Sequence, residues 1–175
     1  IEAKHVAGSL FGYSLASGDL NGDGCADLAI GAPRAGTGGH AEVFLGGPTG
    51  LRQASLVDNG ALKQDRSLFG FSVAIGDMDG DGKDDLAVGA PFYDSPSPFD
   101  NELRTDSGLV RIYLTGKTSD SKWSFAEVMP PDSAAAIEWP LAHAGSSYDR
   151  YGYALAFADL DDDGREELAA GAPFK

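Results

Sequence analysis

Hydrophobic and polar positions alternate with a period of two at three places in the chain. Phe11, Tyr13 and Leu15 alternate with Gly12, Ser14 and Ala16. Phe69, Phe71 and Val73 alternate with Gly70, Ser72 and Ala74, and Tyr151, Tyr153 and Leu155 with Gly152, Ala154 and Ala156. This period predicts strands that begin at the aromatic residue. One face of each is bulky, the other small, and neither is charged. Both faces are therefore expected to be covered, the large side chains of one sheet fitting the small ones of the next. An acidic loop follows each strand. After it comes a short apolar run, such as Leu28-Ala29-Ile30 or Leu86-Ala87-Val88, closed by Gly-Ala-Pro. That run predicts a second buried strand ended by proline. No helical period is sustained; residues 133–137 are alanine-rich, but prolines at 130, 131 and 140 flank them.

Aligned, these segments form three blocks without a gap: FGYSLASGDLNGDGCADLAIGAP at 11–33, FGFSVAIGDMDGDGKDDLAVGAP at 69–91 and YGYALAFADLDDDGREELAAGAP at 151–173. The first two agree at 15 of 23 positions, too many for convergence on a short turn. A weaker echo, GHAEVFLGG at 39–47 and SGLVRIYLTG at 107–116, aligns Leu45 with Leu114. Each unit thus reads as four strands: two in the block, one near 41–45 or 109–114, and one near 53–57 or 122–128. Four-stranded units stacked face to face describe propeller blades. The expected fold is all-β: propeller blades of four antiparallel strands in an incomplete ring, with about two full blades plus parts of two others. Residues 1–10 would supply the last strand of a preceding blade. Residues 11–68 form the first repeat, 69–150 the second with long insertions, and 151–175 the start of the third.

The loops place oxygen side chains at positions 1, 3, 5 and 9 with glycine at 6. They are Asp19, Asn21, Asp23 and Asp27; Asp77, Asp79, Asp81 and Asp85; and Asp159, Asp161, Asp163 and Glu167. Hard oxygen donors at alternating positions of a tight loop suit calcium, up to three ions in all. Glycine at position 6 permits a positive φ. Position 7 offers only its backbone carbonyl, so Cys25, Lys83 and Arg165 are expected to vary freely. Leu20, Met78 and Leu160 at position 2 are expected in the core. An EF-hand would need a carboxylate at position 12, where Ile30, Val88 and Ala170 stand. A dockerin-type loop would lead into a helix, whereas these lead into a strand. Loop two, with four aspartates, is expected to be the strongest site, and Glu167 alters the third.

Charge sharpens the argument. The net charge of the 175 residues is −14, from 13 basic and 27 acidic side chains. Eleven of the acids stand at loop positions; without them 13 bases would face 16 acids. Carboxylates crowded on nine residues repel one another unless a cation neutralises them. Such a balance excludes a basic nucleic-acid surface, and no apolar run approaches the roughly 20 residues of a membrane helix. Catalysis has no support: His5, His40 and His143 lie in unrelated segments, and no Gly-x-Ser-x-Gly elbow occurs. Cys25, the only cysteine, sits among acids that disfavour its thiolate.

The paired Phe11-Gly12, Phe69-Gly70 and Tyr151-Gly152, the three loops, and Gly-Ala-Pro at 31–33, 89–91 and 171–173 together resemble the FG-GAP repeats of the integrin α-chain N-terminal β-propeller. Phospholipase D specific for GPI anchors and many bacterial surface proteins share these repeats. The resemblance implies a calcium-stabilised, non-enzymatic module of adhesion or protein recognition, extracellular or on the cell surface. It also implies metal loops on one rim and partners elsewhere. A propeller lectin, or a non-catalytic propeller attached to a hydrolase such as a phospholipase, are the alternatives. The insertions at 92–107 and 129–150 bring aromatics beside arginine, so Tyr93, Phe99, Trp139, Tyr148 and Arg150 are the candidate partner-binding residues.

Propellers close with about four to eight blades, so the outer faces of this stack need further blades, from more chain or other subunits. The chain alone is expected to self-associate or to bind a complementary set of blades. Analytical ultracentrifugation tests this: a compact monomer at 18.2 kDa with no affinity for further blades contradicts the closure argument.

Overall fold

The computed structural model describes residues 7–58, 64–96, 102–117, 123–127 and 147–174. Its strands are β1 (Ser14–Gly18), β2 (Asp27–Ala32), β3 (His40–Leu45), β4 (Arg52–Asp58), β5 (Ser72–Gly76), β6 (Asp85–Ala90), β7 (Ser95–Pro96), β8 (Leu103–Arg104), β9 (Leu109–Lys117), β10 (Trp123–Glu127), β11 (Ala154–Ala158) and β12 (Glu167–Gly171). No helix occurs among the described residues. Of residues 1–10, expected to supply the last strand of a preceding blade, 1–6 lie outside them and 7–10 are not extended as a strand; the alanine-rich stretch at 133–137 also lies outside.

The first unit is a four-stranded sheet in the order β1-β2-β3-β4, and the second repeats it as β5-β6-β9-β10. The third contributes the antiparallel pair β11-β12. All pairings in these sheets are antiparallel. Leu28 pairs with Phe44 and Leu86 with Tyr113, the register that the Leu45–Leu114 alignment anticipates. A further ribbon, β7 with β8, lies within the insertion after the second block. Two residues per strand, one of them proline, leave no alternation to read.

Strands β1, β5 and β11 begin three residues later than the pattern suggests. Phe-Gly is a turn, not a strand start. Gly12, Gly70 and Gly152 have φ of 87°, 86° and 81°, and Leu10, Leu68 and Arg150 have φ of 57°, 56° and 55°. Two left-handed residues in three positions are incompatible with extended chain. The turn is closed by Tyr13 N–H to the Leu10 carbonyl and Phe71 N–H to the Leu68 carbonyl, both at 3.0 Å. Phe69 is fully buried beneath it. The aromatics two residues on line up across the units instead: ring centroids of Tyr13 and Phe71 lie 4.9 Å apart, those of Phe71 and Tyr153 4.8 Å.

Large against small does organise the stack. Register places Ala16, Ala29, Ala41, Val43 and Val57 on one face of the first sheet, and Val73, Leu86, Val88 and Tyr113 on one face of the second. With Leu20 and Phe69 they form a single buried cluster between the units, Ala16 packing partly buried against it. Each such side chain contributes about 1.5–3 kcal/mol when fully buried. The fit depends on glycine where the bulky face presses hardest. A Cβ on Gly18 would sit 2.4 Å from Ile75 Cγ2, and one on Gly76 would sit 2.5 Å from Phe157 Cβ. Among the described residues no sheet covers the outer faces: Leu15 is 61% exposed, and Ala154, Ala156 and Ala158 are exposed on β11.

The glycine of Gly-Ala-Pro is where backbones cross. A Cβ on Gly31 would lie 2.0 Å from the Gly70 carbonyl oxygen, and one on Gly89 would lie 2.2 Å from that of Gly152. The same carbonyls accept hydrogen bonds from Ser14 Oγ (2.9 Å) and Ser72 Oγ (2.7 Å). The motif's two glycines therefore meet across the joint between units. Gly89→Ala should cost at least about 2–3 kcal/mol, because the obstacle is backbone and cannot rotate away. Gly47→Ala, where an added Cβ meets nothing within 4 Å, should stay within about 1 kcal/mol of the parent. Urea unfolding of both variants checks the contrast.

Candidate metal centres

Each acidic loop links the two strands of a block: β1 to β2, β5 to β6 and β11 to β12. The loops are folded by their own carboxylates. At position 1, Asp19 accepts Asp23 N–H (3.0 Å) and Gly24 N–H (2.8 Å). Asp77 accepts Gly80, Asp81 and Gly82 N–H at 2.8, 3.1 and 2.9 Å. Asp159 accepts Asp163 and Gly164 N–H at 3.2 and 3.0 Å. Position 6 is left-handed in all three, with φ of 82°, 83° and 87° at Gly24, Gly82 and Gly164, as the sequence requires.

Position 9 is the first residue of the following strand, and the sheet holds it rigidly. Asp85 is fully buried; its Oδ1 accepts Thr115 N–H (2.9 Å) and its Oδ2 accepts Met78 N–H (3.1 Å). Asp27 is also buried, with Oδ1 on Gly46 N–H (2.8 Å). Its buried Oδ2 has no partner in full hydrogen-bond geometry, although the N–H groups of Leu20 and Asn21 act on the carboxylate. Glu167 reaches back to Leu160 N–H at 2.8 Å. Carboxylate oxygens of Asp77, Asp79 and Asp85 lie within 4.8 Å of one another, as do those of Asp159, Asp161 and Glu167. Glutamate at position 9 thus keeps the third cluster. In the first loop Asn21 replaces a carboxylate, and its Oδ1 accepts Asp23 N–H at 2.8 Å.

These acidic clusters could hold a metal ion. Hard oxygens converge in the second and third loops, and in the first a buried carboxylate oxygen of Asp27 lacks a well-formed hydrogen bond of the kind such an atom normally makes. Electrostatics points the same way. Burial pushes the Asp85 carboxyl up to about 6, the charges of Asp79 and Asp77 adding to the effect and the N–H groups of Thr115 and Met78 opposing it. Burial likewise raises Asp27, against the backbone N–H groups of Gly46, Leu20 and Asn21. At position 5 the balance reverses: the Cys25 N–H and the Asn21 amide lower Asp23, and a hydrogen bond from the Lys83 ammonium lowers Asp81. Cys25 is raised, chiefly by the charge of Asp23, which makes it a poor nucleophile.

Two expectations for the loops need correction. Position 7 is not free. The side chains of Lys83 and Arg165 lie over the preceding loop, where a Cβ on Gly22 would meet Lys83 Cγ at 3.0 Å and one on Gly80 would meet Arg165 Cγ at 3.1 Å. Nor is position 2 always in the core: Leu20 is fully buried and Met78 half-buried, but Leu160 is 71% exposed. No sheet stands beyond the third unit among the described residues to cover it.

The candidate partner-binding residues part company. Tyr93 packs half-buried against the core cluster. The Arg150 guanidinium lies between two rings, 4.6 Å from the centroid of Phe92 and 4.4 Å from that of Phe174. Tyr148 stands exposed on the neighbouring turn. Phe99 and Trp139 lie outside the described residues. Sequence reasoning missed Asp84 and Glu166 at position 8, whose contacts run between units. It also missed buried Ser9, Ser67 and Asp149, although Ser-Leu-Phe-Gly recurs at 9–12 and 67–70.

A pH dependence follows from Asp85. Its carboxyl titrates near 6 in the fold but near 3.8 when unfolded, so the folded chain holds the proton more tightly. The stability this provides is fully present below about pH 3.8 and is lost as pH rises through about 6, on the order of 3 kcal/mol at most. Asp23 and Asp81, both lowered, pull the other way, so the comparison must isolate Asp85. In chelator, the loss of stability from about pH 4 to pH 6 should be smaller in Asp85→Asn than in the parent. Urea unfolding across that range measures it, and equal slopes contradict the assignment.

The family model for the FG-GAP repeat matches residues 11–51, 69–113 and 151–175. Curated relatives are integrin α chains. Integrin alpha-PS2 of Drosophila melanogaster is 35% identical over 95% of this chain, integrin alpha-V of Gallus gallus 34% over 95%, and integrin alpha-5 of Xenopus laevis 33% over 95%. The match spans only 11%, 14% and 14% of those proteins. With three in-frame matches over most of the sequence, paired turn and crossing glycines at every joint, and the acidic loop in each unit, the chain belongs to the FG-GAP repeat family.

Proposed function

We propose that this chain is a calcium-stabilised β-propeller segment that serves adhesion or protein recognition in an extracellular or cell-surface protein, without catalysis of its own. The observation that carries the calcium reading is the strand-end carboxylate at position 9 of each loop, buried in Asp27 and Asp85 and half-buried in Glu167, which in the second and third loops converges with the carboxylates at positions 1 and 3. The first ion would be held by Asp19, Asn21, Asp23, the Cys25 carbonyl and Asp27. Asp77, Asp79, Asp81, the Lys83 carbonyl and Asp85 would hold the second. Asp159, Asp161, Asp163, the Arg165 carbonyl and Glu167 would hold the third. A bound cation supplies charge that offsets carboxylate repulsion and satisfies the buried Asp27 oxygen.

Similarity to integrin α chains supports the adhesion reading. The strands also separate two rims. The acidic loops follow the C-terminal ends of β1, β5 and β11, while the Phe-Gly turns precede their N-terminal ends. At the turn rim Tyr13, Tyr148, Tyr153 and Phe174 are exposed, and Arg150 lies over the Phe174 ring, the residue types that dominate recognition surfaces. The segment's repeats are 11–68, 69–150 and 151–175, with residues 1–10 belonging to a preceding blade.

A ligand that binds only the folded state adds RT ln(1 + [L]/Kd), about 2.7 kcal/mol at a hundredfold excess over Kd. Calcium should therefore raise the thermal midpoint over that in chelator by about 5–10 °C for a chain of this size. Differential scanning calorimetry in the two buffers decides it, and identical midpoints sink the calcium reading.

A further inference from the structure

The carboxylates at position 8 point away from their own loops. Asp84 Oδ2, on the second loop, accepts Asp19 N–H of the first at 2.6 Å, and Asp84 N–H donates back to the Asp19 carbonyl at 3.1 Å. The next joint repeats this: Glu166 Oε2 accepts Asp77 N–H at 3.1 Å, and Glu166 N–H donates to the Asp77 carbonyl at 2.9 Å. Asp19 and Asp77 hold position 1, and their side chains fold their loops. Both of their backbone polar groups are bound by the succeeding unit. The position-7 side chains from the same succeeding loops, Lys83 and Arg165, lie across Gly22 and Gly80. A cation loop is thus completed by the unit after it. Position 8 of the first loop is Ala26, which has no carboxylate to send backward.

We propose that Asp84 and Glu166 are positioning residues that fix the cation loop of the preceding unit, coupling ion binding in one unit to the docking of the next. The proposal rests on the reading that the loops bind calcium. Coupling of this kind is reciprocal: whatever docking contributes to loop affinity, the ion returns to docking. Its signature is displacement along the chain, because a residue on one loop controls the affinity of another. An ordinary structural role would act on its own loop or on all three alike.

The test is a calcium titration of the full 175-residue chain, followed by NMR at the amides of Gly24, Gly82 and Gly164, which report the three loops separately. Asp84→Ala should weaken the response at Gly24 by about 5- to 30-fold, the range expected for a lost charge-assisted hydrogen bond. Gly82 and Gly164 should shift by less than about twofold. Glu166→Ala should move the loss to Gly82 and carries the same test if Asp84→Ala does not fold. Asp84→Asn and Glu166→Gln keep an acceptor and should retain most of the affinity. A loss confined to the variant's own loop, a uniform loss, or an amide variant as weak as the alanine overturns the proposal. Glycine amides that ignore calcium in the parent chain overturn the calcium reading itself.

Discussion

The stack depends on how closely one unit's backbone approaches the next. At each joint the glycine of Gly-Ala-Pro leaves room for the carbonyl of the following Phe-Gly turn, and a serine hydroxyl from the same sheet fixes that carbonyl. No side chain could stand between them. This contact sets the spacing of the sheets, and the rest follows from it: alanines with Val43 and Val57 on one face, valine, isoleucine, leucine and tyrosine on the other, and glycine where the bulky residues press closest. A packed interior behaves like a crystal of small molecules, so such spacing is not adjustable residue by residue. That rigidity explains why the repeat keeps its two glycine pairs while its connecting strands drift apart in sequence.

The same spacing brings the acidic loops into register at one rim. A carboxylate at the start of a buried strand is an expensive feature. Asp85 meets that cost with two backbone hydrogen bonds and an upward-shifted carboxyl. Asp27 meets it less completely, with one oxygen lacking a well-formed hydrogen bond. The exposed members of the loops are held by ordinary turns, whereas the buried members are held by the sheet. Stability of the fold and affinity for a cation are therefore properties of the same few atoms.

Much of this was legible in the sequence, for identifiable reasons. The sheets, their order and the register of β3 and β9 were readable because period-two patterning and a fixed offset between units survive in the residues themselves. The loop frame was readable because glycine at position 6 has one physical reason to be there. The start of β1 was not, because Phe11 and Tyr13 alternate as strand residues do while Leu10 and Gly12 adopt left-handed angles that no pattern of hydrophobicity records. Asp84 and Glu166 were hidden for a different reason. Their partners lie a whole unit away, 65 and 89 residues earlier in the chain, and a loop read alone shows them only as extra charge.

The direction of these joints has a consequence for biosynthesis. A ribosome delivers the chain from its N-terminus, so each acidic loop emerges before the unit whose position-8 carboxylate holds its first residue. Asp19 must wait for Asp84, and Asp77 for Glu166. Until then the loop has its internal hydrogen bonds, made by the carboxylates of Asp19 or Asp77, but not the two that the succeeding unit supplies. The hydrogen bonds on the first residue of the first and second loops can therefore form only after the following unit has been synthesised.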